Sequence, residues 1–168
     1  AAWFGASPRR RRARGCLIVL GGETSRDQRR EPLHTVECYD SAARTWARMT
    51  DMPTARRHFG YGLIGRKLYV VGGIASANEE AQRLCTMDCL DVDTQAWEVM
   101  PPMPTALAGC ATAVLDCKLY VLGGNAGTES VSAEVQRFDP DTRVWDVILP
   151  MPTARSGCSA AARWPRQC

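Results

Sequence analysis

The sequence contains little histidine and no long hydrophobic run, and both scarcities restrict what the protein can do. His34 and His58 are its only histidines, which are too few for a histidine-rich copper site. The longest apolar run, from Leu17 to Leu20, has the length of a β-strand, whereas crossing a bilayer requires about 20 apolar residues. The same run is too short for the core of a signal peptide. We therefore expect no cofactor, no metal and no membrane contact.

The charge balance is also modest. Lysine and arginine exceed aspartate and glutamate by only +3, which does not indicate a nucleic-acid partner. The arginines are unevenly spread, because five of them crowd residues 9–14. Such a run is either a basic tail outside the fold or a nuclear-import or nucleic-acid-binding patch. We expect a basic tail and no nucleic-acid partner.

Eight cysteines are numerous for 168 residues and raise the alternative of an extracellular disulfide framework. There is no CxxC pair, and no histidine lies near Cys85 and Cys89 to complete a zinc site. Free cysteine in an apolar run behaves as a small hydrophobic residue, and four cysteines lie in or beside such runs: Cys16, Cys110, Cys117 and Cys158. The sequence therefore predicts buried, reduced thiols and a protein of the cytoplasm or nucleus.

Three kinds of marker recur at a nearly fixed interval. Their spacings are 51 and 51 residues for a Gly-Gly pair, and 51 and 48 residues for both a tryptophan and a Met-Pro-Thr segment. The markers are Gly21-Gly22, Gly72-Gly73 and Gly123-Gly124; Trp46, Trp97 and Trp145; and the segments that begin at Met52, Met103 and Met151. Because the three markers keep one register, the chain consists of repeats of about fifty residues.

Each repeat has the pattern of four short strands. In the third repeat, an apolar run at 110–115 and a β-rich run at 118–122 flank a tight turn at Asp116-Cys117. An alternating segment at 133–138 and a final run at 144–147 follow. Four such strands cannot bury their own faces, so each repeat must pack against its neighbours. This combination of repeat length and strand content is typical of a β-propeller.

With these features, the sequence resembles the kelch family over roughly residues 17–162. The resemblance rests on the LYVVGG and LYVLGG segments, on a large residue before an aspartate, on the spaced tryptophans and on the two MPTAR segments. These features stand at Leu68–Gly73, Leu119–Gly124, Tyr39-Asp40, Leu90-Asp91, Phe138-Asp139, Met52–Arg56 and Met151–Arg155. The resemblance implies an all-β, kelch-type β-propeller with about three four-stranded antiparallel blades.

The number of blades predicts an incomplete propeller, since propellers usually close with four to eight blades. Either the chain belongs to a longer protein or it is a truncated product without a stable fold. We expect a basic segment at 1–15, repeats at 16–162 and a tail at 163–168. Within the repeats we expect a partial blade at 16–50, complete blades at 57–100 and 108–149, and the start of another blade at 156–162.

The repeat markers have structural interpretations. The glycine pairs end the second strand of each repeat, where a positive φ or a close approach of two backbones is needed. Each tryptophan is suited to fill the contact between neighbouring blades, and the proline of Met-Pro-Thr stops the outermost strand. One repeat departs from the others, because Leu107 stands where Arg56 and Arg155 stand.

Candidate binding residues lie on the loops. Because strands alternate in direction, the loop after the second strand and the crossing to the next blade emerge on one face, and long loops on a rigid scaffold often bind ligands. Arginines around a propeller mouth suit an acidic peptide, with ordinary solvated loop charge as the alternative. The candidates are Arg26, Arg29, Arg30, Arg56, Arg57, His58, Asn78, Glu79, Asn125, Glu129, Arg155 and Ser156.

The resemblance implies a protein-interaction module. Many kelch proteins combine the propeller with a BTB or F-box domain and select substrates for a cullin-based ubiquitin ligase, and others bind actin. Some kelch-like propellers are copper oxidases or sugar-acid isomerases, but we expect no enzyme here, since the two histidines lie in different repeats and no nucleophile–histidine–acid arrangement is evident. The expected partner is a ubiquitination substrate or a cytoskeletal protein.

Overall fold

The computed structural model describes residues 16–26, 29–76, 83–127 and 131–163, and the secondary structure of this part of the chain is entirely β. Its strands are β1 (Cys16–Leu20), β2 (Glu23–Arg26), β3 (Arg29–Pro32), β4 (Val36–Asp40), β5 (Thr45–Arg48), β6 (Gly60–Ile64), β7 (Lys67–Val71), β8 (Met87–Asp91), β9 (Trp97–Met100), β10 (Ala111–Leu115), β11 (Lys118–Leu122), β12 (Val135–Asp139) and β13 (Val144–Ile148). Within these residues no helix is long and apolar enough to cross a membrane.

The strands form three successive antiparallel sheets, which we call blades, and this confirms the predicted fold. Blade 2 contains β6-β7-β8-β9 and blade 3 contains β10-β11-β12-β13. Blade 1 contains only β1-β4-β5, and the hairpin β2-β3 forms a small sheet of its own. Among the described residues, blade 1 therefore has no counterpart of the innermost strands β6 and β10.

The hydrophobic core lies between blades rather than within them. One cluster lies between blades 1 and 2 and includes Val36, Leu68 and Leu90, all almost fully buried. A larger cluster lies between blades 2 and 3 and is built around Met87 and Phe138. Since successive strand residues point to opposite faces of a sheet, each blade offers one apolar face to the blade before it and the other to the blade after it. We call each such contact a seam.

Two of the three tryptophans fill a seam, as the sequence predicts. The indole nitrogen of Trp97 in blade 2 donates to the Thr50 carbonyl at 3.1 Å, and that of Trp145 in blade 3 donates to the Pro101 carbonyl at 2.9 Å. Trp46 in blade 1 stacks on Tyr39 in the same tilted geometry that Trp145 has within its own blade, with centroids 5.1 Å apart. It remains 57% exposed because no described blade precedes it.

The aspartate that recurs at the end of the third strand of each repeat stabilises the turn to the fourth strand. Asp91 Oδ1 accepts the backbone N–H groups of Asp93 and Thr94 at 3.0 Å each. These hydrogen bonds stabilise the ionised carboxylate and lower the pKa of Asp91 below its ordinary value. Asp40 and Asp139 occupy the same turn position and also accept backbone N–H groups. The marker therefore stabilises a turn.

The prediction of reduced cysteines needs one correction. Among the described residues, six cysteines are free thiols, of which Cys89 and Cys110 are buried. The prediction of burial is wrong for Cys16, which is exposed. Cys117, however, is disulfide-bonded. Its position explains the difference, because Asp116-Cys117 forms an exposed two-residue turn with both φ angles positive, which leaves the sulfur at the surface instead of within the apolar run.

Candidate functional site

The loops that follow the second strands and the crossings between blades lie together, on what we call the loop face. The Gly22 N–H donates to the Arg56 carbonyl at 3.0 Å, and the Arg56 N–H donates to the Leu33 carbonyl at 3.0 Å. The Gly73 N–H donates to the Leu107 carbonyl at 2.8 Å in the next repeat. Each crossing is thus held against the residues that follow the second strand of the blade that it leaves, which fixes the described backbone of the loop face.

Arg56, a candidate binding residue, lies inside the first seam. Its side chain is fully buried and forms an ion pair of 2.6 Å with the buried carboxylate of Asp88. The same guanidinium donates to the carbonyls of Gly72 at 2.9 Å and Thr86 at 3.0 Å. Arg56 therefore joins the crossing to the second and third strands of blade 2, and its charge is not offered to a partner in this arrangement.

Arg57 is likewise engaged within the chain. It is only 4% exposed, and its guanidinium contacts the Glu23 carboxylate at 3.0 Å and the Ser76 carbonyl at 3.4 Å. These contacts connect the hairpin of blade 1 with the loop of blade 2. The sequence could not reveal this burial, because the partners lie 34 and 19 residues away along the chain.

Four other candidates are accessible on the loop face. His58, Arg155 and Ser156 are exposed, and Asn125 is half-buried. His58 has a φ of 55° and its carbonyl accepts the Gly109 N–H, so its backbone is fixed while its imidazole is free to contact solvent. Asn78, Glu79 and Glu129 lie outside the described residues.

The β2-β3 hairpin brings the three arginines predicted in the first loop close together. Arg26 is directly opposite Arg29 in the strand register, and Arg30 is opposite Ser25. The structure describes only the backbone of these arginines. Arg26 and Arg29 are residues of like charge, and like charges directly opposite one another destabilise a strand pair.

A cavity of about 290 Å³ lies along the innermost strands, where the sequence analysis predicted no site. Three segments at equivalent places in successive repeats line it: Phe59, Gly60 and Tyr61; Cys110, Ala111 and Thr112; Cys158, Ser159 and Ala160. A Cβ atom at Gly60 would lie 2.4 Å from Thr112 Cγ2, so this glycine reflects a close approach of the innermost strands, and the sequence carried no direct signal of the cavity. The Thr112 hydroxyl donates to the Tyr61 carbonyl at 2.6 Å and ties two of the walls together.

The cavity lining includes one buried thiol, that of Cys110. Burial raises the pKa of the Cys110 thiol to about 11, so the thiol is protonated near neutral pH and is a poor nucleophile. No group of three or more histidine, cysteine, aspartate or glutamate side chains in the described part of the chain is placed to hold a metal ion.

The stability of the fold should decrease as the pH rises from about 9 to about 11. Burial raises the pKa of Cys110 from its ordinary 9.0 to about 11, so the folded state favours the protonated thiol. This contribution is fully present below pH 9 and is lost as the pH passes through the folded-state value. Thermal midpoints of the C110A variant, whose side chain cannot titrate, should decline less steeply over this interval. Parallel declines of variant and parent would contradict the prediction.

Comparison with known proteins shows that the chain is similar to proteins with kelch repeats. Residues 8–164 match the model of the KLHDC2/KLHL20/DRC7 Kelch-repeats domain. The chain is 34% identical to Kelch-like protein 15 of Gallus gallus over 73% of its own length and 24% of the relative's. It is 31% identical to Kelch domain-containing protein 8B of Mus musculus over 76% of its own length and 39% of the relative's.

A solved structure supports the same assignment at the level of the fold. The kelch propeller YjhT superimposes with a TM-score of 0.73 and 18% identity over 84% of this chain and 51% of that chain. The chain therefore spans about half of that propeller and less than half of the curated relatives named above. The family match covers almost every repeat position described above, and the chain belongs to the kelch-repeat family.

Proposed function

We propose that this chain is a protein-binding module whose loop face holds an acidic segment of its partner, and that it acts by binding rather than by catalysis. The Arg26–Arg29 register carries the proposal. Two like charges directly opposite each other weaken a hairpin, and carboxylates of a ligand relieve their repulsion by bidentate hydrogen bonds. The exposed side chains of His58 and Arg155 extend the polar surface of the same face.

The kelch resemblance supplies the biological setting of this proposal. By analogy with kelch proteins that select substrates for cullin-based ubiquitin ligases, the acidic segment belongs to a protein marked for ubiquitination, and the module works in the cytoplasm or nucleus. Removing this protein from cells should then raise the steady-state level of its partner, and inhibiting cullin activation should have the same effect. A partner level that responds to neither treatment would contradict the ligase role while leaving acidic-segment binding in place.

Binding to an array of peptides that differ only in their number of aspartate and glutamate residues tests the acidic-segment proposal. The affinity of the parent chain should increase with the number of carboxylates. The R29E/R30E variant should lose about tenfold or more in affinity, because like charges then face each other across the interface. No residue of the β2-β3 hairpin belongs to the hydrophobic cluster of either seam among the described residues.

The control is R66E, which reverses one charge at a side chain that is 65% exposed, pairs with Asp93 and lies in the turn between β6 and β7. This turn is at the opposite end of the strands from the loop face. R66E should bind the peptides as the parent does. Equal losses in R66E and R29E/R30E would indicate a general charge effect and would contradict a site on the loop face.

A further inference from the structure

Arg57 connects three segments of the loop face that are far apart in the sequence. Its backbone belongs to the crossing into blade 2, where the Arg57 N–H donates to the Ile74 carbonyl at 3.0 Å. Its guanidinium reaches the Glu23 carboxylate at 3.0 Å, and Glu23 begins the β2-β3 hairpin of blade 1. The Arg57 Nε–H also donates to the Ser76 carbonyl at 3.4 Å, in the loop of blade 2. One side chain therefore links the hairpin of blade 1 to the loop of blade 2.

We infer that Arg57 is a positioning residue, which holds the β2-β3 hairpin in one orientation relative to blade 2 so that the acidic segment of the partner meets a preformed surface. The inference rests on the proposed function for the nature of the ligand. Only 5% of the Arg57 side chain is exposed, so Arg57 does not contact the ligand itself. It acts through Glu23, which lies on the same strand of the hairpin as Arg26.

The second seam is assembled without this ion pair. One repeat later, Ile74 takes the position of Glu23, and Ala108 takes that of Arg57. The backbone contacts are equivalent, because Arg57 exchanges hydrogen bonds of 3.0 and 2.9 Å with Ile74, and Ala108 exchanges hydrogen bonds of 3.0 and 2.8 Å with Asn125. Ile74 and Ala108 are 7% and 5% exposed, so both positions are buried there without any charge. The ion pair of the first seam therefore points to a role other than building a seam.

The energetics of buried ion pairs lead to the same conclusion. A guanidinium and a carboxylate lose hydration when they are buried, and their attraction offsets this loss only in part, so an uncharged pair is often equally stable. A guanidinium does fix geometry, because its donors have set directions. Those of Arg57 are directed at Glu23 and Ser76. Glu23 is opposite Pro32 in the strand register, at the base of the hairpin, so the ion pair fixes the point from which the hairpin extends.

A fixed hairpin favours binding because less remains to be ordered when the ligand arrives. A two-stranded hairpin is only marginally stable by itself, and β2-β3 forms a small sheet apart from the three blades. Its base is closed by the Leu33 N–H, which donates to the Gly22 carbonyl at 2.9 Å. The contact from Arg57 adds a tie from this base to blade 2. Without that tie the hairpin samples more orientations, and part of the binding free energy is spent on selecting one.

Replacing the ion pair by the uncharged pair of the second seam tests the inference in the full chain. The E23I/R57A variant keeps the net charge of the parent, because one acid and one base are removed together. Its urea midpoint, followed by tryptophan fluorescence, should equal that of the parent. Its affinity for the acidic peptides should fall about fivefold or more. Amide hydrogen exchange of the β2-β3 hairpin should become about tenfold faster, with the exchange of β7 and β8 unchanged.

The matched control is R66A/D93A, which also removes one ion pair without changing the net charge. Both side chains are more than half exposed and lie in turns at the opposite end of the strands from the loop face. This variant should match the parent in peptide affinity and in the exchange of the hairpin. Equal losses of affinity in R66A/D93A and E23I/R57A would overturn the inference, because the effect would not depend on the hairpin.

The two readouts separate this inference from the proposed function. If the parent binds acidic peptides and E23I/R57A binds them equally well with an equally protected hairpin, Arg57 does not position the hairpin, whereas acidic-segment binding stands. If the parent shows no preference for acidic peptides, the proposed function fails, and hydrogen exchange still decides whether Arg57 fixes the hairpin. A variant that fails to fold, or whose urea midpoint falls well below that of the parent, would show that the ion pair supports the fold and would overturn the inference.

Discussion

Replacing Arg56 by leucine should destabilise the fold by about 3–5 kcal/mol, because it leaves the buried carboxylate of Asp88 without its ion-pair partner. Arg56 is fully buried and its guanidinium contacts Asp88 at 2.6 Å. The carbonyls of Gly72 and Thr86 lose a donor in the same variant, which adds to the loss. Urea unfolding followed by tryptophan fluorescence would measure the change in the free energy of unfolding.

The chain itself provides the matched control. The second seam has Leu107 where the first has Arg56, and Gln136 where the first has Asp88. Both residues are fully buried, and the Gln136 amide exchanges two hydrogen bonds of 3.3 Å with the backbone of Thr105. The R56L/D88Q variant places the same uncharged pair, leucine and glutamine, at the equivalent positions of the first seam. It should recover more than half of the stability lost in R56L.

The comparison between these two variants separates two explanations. If Arg56 stabilises the seam chiefly by neutralising Asp88, removing both charges together must be less harmful than removing one. If R56L/D88Q is as unstable as R56L, the hydrogen bonds to Gly72 and Thr86 account for the loss instead.

Much of the fold could be predicted from the sequence because the repeat fixes the register of its elements. The strand between Lys118 and Leu122 ends at a glycine pair, and both glycines have positive φ angles as expected. Trp97 and Trp145 occupy equivalent places in successive seams. These features depend on local geometry and on periodicity, which a single sequence displays directly.

The candidate site was harder to predict because exposure depends on distant residues. Arg56 and Arg155 occupy the same repeat position, yet the first is buried and the second is exposed. Only the presence of blade 2 against Arg56 makes the difference, and its partner Asp88 is 32 residues away along the chain. The repeat position therefore assigns a residue to a seam, but a neighbouring blade decides whether its charge is buried.

The innermost cavity was missed for a related reason. Its walls come from three segments that lie about fifty residues apart, including Gly60 and Ala111. Small residues in a strand are consistent with weak packing or with a close neighbour as well as with a cavity. The sequence shows each wall separately, and the space becomes visible only after the innermost strands are placed side by side.

Replacing Gly72 by alanine should destabilise the fold by about 3 kcal/mol or more, and much of this loss should come from a backbone collision. Gly72 has a φ of 67°, a conformation that costs an L-residue about 1–2 kcal/mol. A Cβ atom would also lie 2.5 Å from the Leu107 carbonyl oxygen, so the crossing to blade 3 would have to move. Overpacking of this kind costs about 1–3 kcal/mol.

Gly65 separates the two contributions, because its φ of 60° is close to that of Gly72 and a Cβ atom there would meet nothing within 4 Å. G65A should therefore show only the conformational cost of about 1–2 kcal/mol. Urea unfolding gives the loss in the free energy of unfolding for each variant, and the difference between G72A and G65A is the cost of the collision with Leu107. Equal losses would mean that the crossing at Leu107 moves without resistance, which would contradict a rigid loop face, since the Gly73 N–H holds the same Leu107 carbonyl at 2.8 Å.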